Sequence, residues 1–237
     1  MGLRSRGVCP LRLAVLRALM AAAFVASGGG VVTSAEPASP PELPANFRAL
    51  AMSSGEPAIP GLTIVYLHPL GDPADANRWQ NIIVHQTEGP PGSAKSMAQA
   101  QAKNPTKRGV TIWVETDGTV YWSTAENAIP THGDGANRND NKYIDNSKTY
   151  HSVVKTNSIG VEFNGNYPDV TKPATAAQAQ AWLLLVRFLQ ERYRIPAEHI
   201  YGHNWIDYKD ARYCEGCELA ALARKLAYEP SKQANGE

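Results

Sequence analysis

The chain has 237 residues, 43% of them hydrophobic and 19% charged, a composition that excludes a disordered or fibrous protein. Lys and Arg number 23 against 22 Asp and Glu, so the formal charge is +1 and nucleic acid is not an expected partner. Its 3 cysteines, Cys9, Cys214 and Cys217, are too few for a disulfide scaffold but enough for one metal ligand set or one redox pair.

Residues 1–35 carry Arg4, Arg6, Arg12 and Arg17 and no acid, followed by the apolar run LRALMAAAFVASGGGVV. The pattern predicts a secretory signal peptide. Ser27 and three glycines interrupt the run, which falls short of the roughly 20 residues a membrane span needs, so no stable span is expected. Removing this segment discards Cys9 and takes the formal charge from +1 to −3. Cys214 and Cys217 would then sit in an exported chain, periplasmic or extracellular, in oxidising surroundings. Residues 36–60 contain six prolines and no sustained periodicity, which predicts a linker or N-terminal arm.

From 61 to 228 strand-like and helix-like patterns alternate without an internal repeat, predicting one α/β domain, and 229–237 form a polar tail. NIIVHQT at 81–87 reads as a buried strand whose last residues reach a site. A helix is predicted over SAKSMAQAQA with Ser93 as its N-cap. VTIWVET and TVYWS, joined by Asp117-Gly118, predict a hairpin with a type I′ turn. A long polar stretch, GDGANRNDNKYIDNSKTYHS, follows at 133–152 and reads as a functional or mobile loop. NSIGVEFNG at 157–165 is a further strand. Residues 176–194 form the strongest predicted helix, with Thr175 and Gln178 as a capping box and an apolar stripe through Ala181, Leu184, Leu185, Phe188 and Leu189. HIYGH at 199–203 predicts a short strand, and CELAALARKLAY a terminal helix.

His85, His203 and Cys214 have the residue types of a zinc site, since zinc takes nitrogen and sulfur donors and a hydrolytic site needs three protein ligands and one open position. Glu162 places a carboxylate within an apolar strand, which fits either a solvent-facing position of an alternating strand or a general base. Arg212 would hold a permanent positive charge near the metal, suited to an oxyanion. Cys214-x-x-Cys217 also fits a redox pair or a disulfide, which would remove the thiolate as a ligand. Trp113, Trp122, Trp205 and Tyr208 are candidate apolar walls or packing residues.

NIIVHQTEG, the ETDGTVYWS hairpin, His132-Gly133, NSIGVEFNGN, HIYGHNW and ARYCEG occur in an order that resembles the zinc-dependent N-acetylmuramoyl-L-alanine amidases. The resemblance is to the type-2 amidases, relatives of the peptidoglycan recognition proteins, and spans roughly 79–225. It implies an α/β fold, a single domain with a central mixed β-sheet flanked by helices. It also implies Zn2+ held by His85, His203 and Cys214, with Glu162 and Arg212 catalytic and His132 in contact with substrate; Trp205 is expected to contact substrate as an apolar wall. The implied partner is peptidoglycan or its muropeptides, and the implied reaction is cleavage of the amide between N-acetylmuramic acid and L-alanine. A non-catalytic peptidoglycan-binding module is the competing reading. Three departures stand out: Glu215 replaces the proline expected after the third ligand, so that Asp207, Asp210 or Cys217 could supply the donor; Val110 and Thr111 stand where relatives carry His or Tyr; and Arg212 replaces a lysine with different donor geometry.

Overall fold

The computed structural model describes residues 41–133, 149, 151–165, 173–207, 214–226, 228 and 230. The predicted signal peptide, most of the long polar stretch, Tyr208, Asp210 and Arg212 lie outside the described residues.

Six strands form one mixed sheet. They are β1 (Ile64–Tyr66), β2 (Asn81–Thr87), β3 (Ile112–Val114), β4 (Val120–Trp122), β5 (Ser158–Asn164) and β6 (Ile200–Gly202), in the order β1-β4-β3-β5-β2-β6. Only β3 and β4 pair antiparallel; the other neighbours run parallel. The helices are α1 (Phe47–Ala51), α2 (Ala94–Lys103), α3 (Ala176–Tyr193), α4 (His203–Ile206) and α5 (Cys217–Lys225). This is the single mixed sheet with flanking helices that the sequence implied.

Strand alternation sorts the side chains into two layers. Ile82, Val84, Ile112, Val114, Val120, Trp122, Ile159, Val161 and Phe163 share the main core with Trp182, Leu185, Phe188 and Leu189 of α3. Trp182 meets Phe163 edge-on with ring centroids 5.5 Å apart. On the opposite face Val110 and Trp113 pack with Ala94 and Ala98 of α2, and Ile83 packs with Val153 and Ile206. Trp113 and Trp122 are therefore packing residues, 5% and 0% exposed.

The predicted capping box of α3 is complete: Gln178 N donates to Thr175 Oγ1 at 3.1 Å, and Thr175 N donates to Gln178 Oε1 at 3.0 Å. At α2 the structure differs. Ser93 precedes the helix but its side chain makes no cap bond. Glu115 does this instead, its Oε2 accepting from Ala94 N at 3.0 Å and its Oε1 from Gly92 N at 2.8 Å. Ser93 Oγ is drawn away by Pro90 O and Asn164 Oδ1. The β3–β4 turn is also not type I′, because only Gly118 has positive φ. Gly118 N donates to Glu115 O and Glu115 N to Thr119 O, closing a three-residue loop with glycine in the left-handed position. Asp117 Oδ1 accepts from Thr119 N at 2.8 Å, a local bond that competes with the mirror-image turn.

The segment expected as a linker enters the domain by its second half. Phe47, Ala51 and Ile59 are buried in the main core. Arg192 of α3 holds this arm: Nη1 donates to Ala51 O and Ser53 O, Nη2 to Gly71 O and Glu126 Oε2, and Nε to Glu126 Oε1. All five of its donors are used.

Candidate active site

The site forms on the sheet face away from α3. Residues facing the same side on β2 are Ile83 and His85, and the parallel partner of His85 on β5 is Glu162, whose partner on β3 is Trp113. One row across three strands thus carries an imidazole, a carboxylate and an indole. The row continues past β6: Gly202 pairs with Val84, and the next residue, His203, opens α4. The His85 and His203 rings lie 4.5 Å apart, centroid to centroid.

The third member comes from the turn before α5. Glu215 is fully buried, with Oε1 3.3 Å from His85 Nδ1 and Oε2 3.2 Å from His203 Nδ1. Gly216 makes this approach possible. Its φ of 74° places it in the left-handed region, and a Cβ there would strike the backbone carbonyl of Val84. Gln86 ties the same turn to β2: its Oε1 accepts from Gly216 N at 3.1 Å, while its N donates to Glu215 Oε1 at 3.4 Å. Burial alone would raise the Glu215 carboxyl, but the His203 and His85 rings beside it outweigh that and hold it well below the usual carboxylate range.

Among the described residues the group that could hold a metal is His85, His203 and Glu215, with Glu215 where Cys214 was expected. Cys214 is bonded to Cys217, and a disulfide sulfur is not a thiolate. Glu215, enclosed by that Cys-x-x-Cys loop, points at both imidazoles in its place. Asp207, an alternative donor in the sequence, lies on the other edge of His203, its Oδ2 3.9 Å from Nε2. The donor atoms of His85, His203 and Glu215 all lie within 4.8 Å of one another. Two imidazole nitrogens and a carboxylate oxygen are a zinc-type set.

The two residues expected to meet substrate are placed otherwise. His132 is 8% exposed and lies beneath His85, its Nδ1 3.2 Å from His85 Nε2 and its Nε2 3.1 Å from Ser158 O. Burial, then the neighbouring His85 and His203, push its pKa well below the ordinary imidazole value. Trp205 packs against the main core, with the Arg224 guanidinium 4.8 Å over its ring. Glu162 is half-buried within β5. Glu215 was missed because Cys214 is the stronger zinc signal; the clue present in the sequence was that pairing of the two cysteines leaves the acid between them.

A family model described as N-acetylmuramoyl-L-alanine amidase matches residues 75–217. None of the curated proteins matches. Among solved structures the chain is similar to the endolysin N-acetylmuramoyl-L-alanine amidase LysCS from Clostridium intestinale URNW, at 17% identity over 69% of this chain and 95% of that one, TM-score 0.46. It is also similar to a mutant endolysin from Bacillus subtilis, at 19% identity over 70% and 99% of the two chains, TM-score 0.46. A third is an AmpD derivative, at 17% identity over 72% and 97%, TM-score 0.46.

Proposed function

Because the chain belongs to the N-acetylmuramoyl-L-alanine amidase family, matched over residues 75–217, we propose that it is a zinc hydrolase acting on the amide between N-acetylmuramic acid and L-alanine in peptidoglycan or its fragments. The observation that carries this reading is the convergence of His85, His203 and Glu215 beside a strand that presents Glu162 in register with His85. Zinc, held by those three side chains, would supply a Lewis acid that acidifies water and polarises a carbonyl.

The chain's own residues have separate tasks. Glu162, one strand from His85, takes a proton from the attacking water as its oxygen bonds to the carbonyl carbon, and returns that proton to the amide nitrogen as the C–N bond breaks. Arg212 offsets negative charge on the carbonyl oxygen. Gln86 and Gly216 fix the turn that carries Glu215, so the carboxylate needs no reorganisation. An exported location, periplasmic or extracellular, fits this substrate and the paired late cysteines; among the described residues no helix is long and apolar enough to cross a membrane.

The test is Glu162→Gln, assayed for muropeptide turnover and for zinc content. Loss of a general base slows the reaction by roughly 10²–10⁴ while zinc stays bound. Normal turnover in this variant would remove Glu162 from the mechanism. A wild-type protein that holds zinc and muropeptide for hours without cleaving it would be the binding module instead.

A further inference from the structure

A cavity of about 420 Å³ opens where the segment before β2 meets the C-terminal end of α3, within the size range of small-molecule sites. Its wall includes Met52, Asp72, Asn77, Arg78, Trp79 and Arg194. Gln80 also lines it, immediately before β2, and lies roughly 16 Å from His85 along the strand at about 3.3 Å per residue. The cavity is therefore separate from the cluster of His85, His203 and Glu215.

The wall holds donors that the protein leaves unused. Trp79 is 4% exposed, and its Nε1, which can only donate, has no hydrogen-bond partner among the described residues. Asn77 Nδ2 is buried without a partner in the same way. Buried N–H groups without an acceptor are costly and uncommon. The neighbouring polar groups are engaged: Arg192 donates to Glu126 and to the carbonyls of Ala51, Ser53 and Gly71, and Tyr193 OH donates to Glu126. An acceptor from outside would complete the set at Trp79 and Asn77.

The charged groups set the sign of that acceptor. Arg78 is exposed, and among the described residues its guanidinium has no ion pair or hydrogen bond. Arg194 adds a second guanidinium, shared with Glu191, whose Oε1 lies 3.9 Å from Nη1. Arg194 ends α3 at φ 59°, the left-handed position that glycine fills at least cost. Asp72, the acid in the wall, has Oδ1 occupied by Ala74 N at 2.9 Å. This balance favours an anion, and a guanidinium fork suits a planar carboxylate. Met52, Pro73 and Ala76 place apolar surface beside it, which fits a carboxylate with a short carbon body better than a bare inorganic ion.

We propose that this cavity is a second binding site, for a small organic carboxylate of the kind that ends a short peptide, its oxygens accepting from Trp79 Nε1 and Asn77 Nδ2 and pairing with Arg78. The site touches none of the three proposed zinc donors, so it stands or falls apart from the amidase reading.

The experiment uses the full chain with 15N-labelled tryptophan. The chain has 5 tryptophans, so the indole signals are few, and Trp79→Phe assigns the relevant one. The probes are N-acetyl-alanyl-alanine, its C-terminal amide, and acetate. The expected result is a saturable shift of the Trp79 indole signal with the dipeptide acid, and binding roughly 10–100-fold weaker both for the amide and in Arg78→Met, since hydrogen bonds to charged groups are the strong ones. Arg78 is exposed and unpartnered, so its replacement leaves the fold intact; if Trp79→Phe does not fold, calorimetric titration of wild type and Arg78→Met carries the same comparison. Tighter binding of the dipeptide than of acetate supports the site with a peptide end as its ligand, and equal binding supports it with a free small acid. No binding of any probe, acid and amide binding alike, or wild-type affinity in Arg78→Met overturns the proposal.

Discussion

Replacing Glu215 with glutamine decides what the third donor is. The structure gives Glu215 two imidazole contacts at 3.3 and 3.2 Å and complete burial. Structural zinc sites bind with apparent free energies of about 10–16 kcal/mol over four ligands, so one charged donor accounts for roughly 3–4 kcal/mol and its loss for about 10²–10³ in affinity. At zinc near 100 times the wild-type Kd, binding stabilises the fold by about 2.7 kcal/mol, which for a domain of this size raises Tm by roughly 5–11 °C. In Glu215→Gln the same zinc concentration is at most about equal to the new Kd, leaving about 0.4 kcal/mol and a shift of roughly 1–2 °C. Without metal the change is also expected to lower the melting temperature at neutral pH, because the His203 and His85 rings hold the carboxyl below its usual range and that contribution is lost with the charge. Scanning fluorimetry with and without zinc reads both effects. Cys214→Ser is the control and should keep its zinc-induced shift. Should the shift survive in Glu215→Gln and vanish in Cys214→Ser, the sulfur is the donor and the assignment made here is wrong.

Two further outcomes test the frame around the site. Arg192→Met strands the buried Glu126 carboxylate and three backbone carbonyls, and is expected to cost about 3–5 kcal/mol, or roughly 6–20 °C in Tm; Glu126→Gln added to it should recover part of that loss, and a single-variant loss below about 1 kcal/mol in urea unfolding would refute the pinning role. At Glu115 burial favours the neutral acid, but bonds from the Gly92, Thr116 and Ala94 amides outweigh it and lower the pKa. Its contribution is present above the ordinary carboxylate value of about 4.3 and is lost as pH falls through the lower folded value. Glu115→Gln should therefore be less stable than wild type at neutral pH, with the gap closing on acidification; a gap that stays constant down to pH about 3 would refute the cap.

Elements that carry their own signal were legible in the sequence. β2 and β5 are short apolar runs of the kind a parallel interior strand needs, and α3 advertises both its cap and its buried stripe. β1 has three residues on the sheet edge, none of them buried, so it offers neither a run nor an alternation to detect. α1 hides in a proline-rich stretch because its helix is five residues long and is held by tertiary contacts, chiefly Phe47 and the arm grip of Arg192. His85 and His203 stand out by residue type at strand ends and Glu162 as a carboxylate within an apolar strand, but what brings β2 and β5 side by side is the sheet order, with β5 between β3 and β2, which no local pattern encodes. Glu115 illustrates the same limit: its local sequence suggests one arm of a hairpin, and only tertiary packing brings helix α2 onto its carboxylate.

The two faces of the sheet explain how one small fold keeps three buried ionisable groups together. Stability is concentrated on the α3 side, where Trp122, Phe163, Trp182 and Phe188 are 0–1% exposed. That leaves the odd-numbered positions of β2 and the even-numbered positions of β5 outside the main core, so Ile83 and His85 stand beside Gly160 and Glu162 without disturbing the apolar layer behind them. A one-residue slip of β2 against β5 would turn His85 into the core and Val84 into the site. Gln86, which faces the opposite side from His85, is bonded to the Gly216 amide, and this bond joins the strand's register to the turn that delivers Glu215. The same strand that aligns the first imidazole therefore also places the carboxylate.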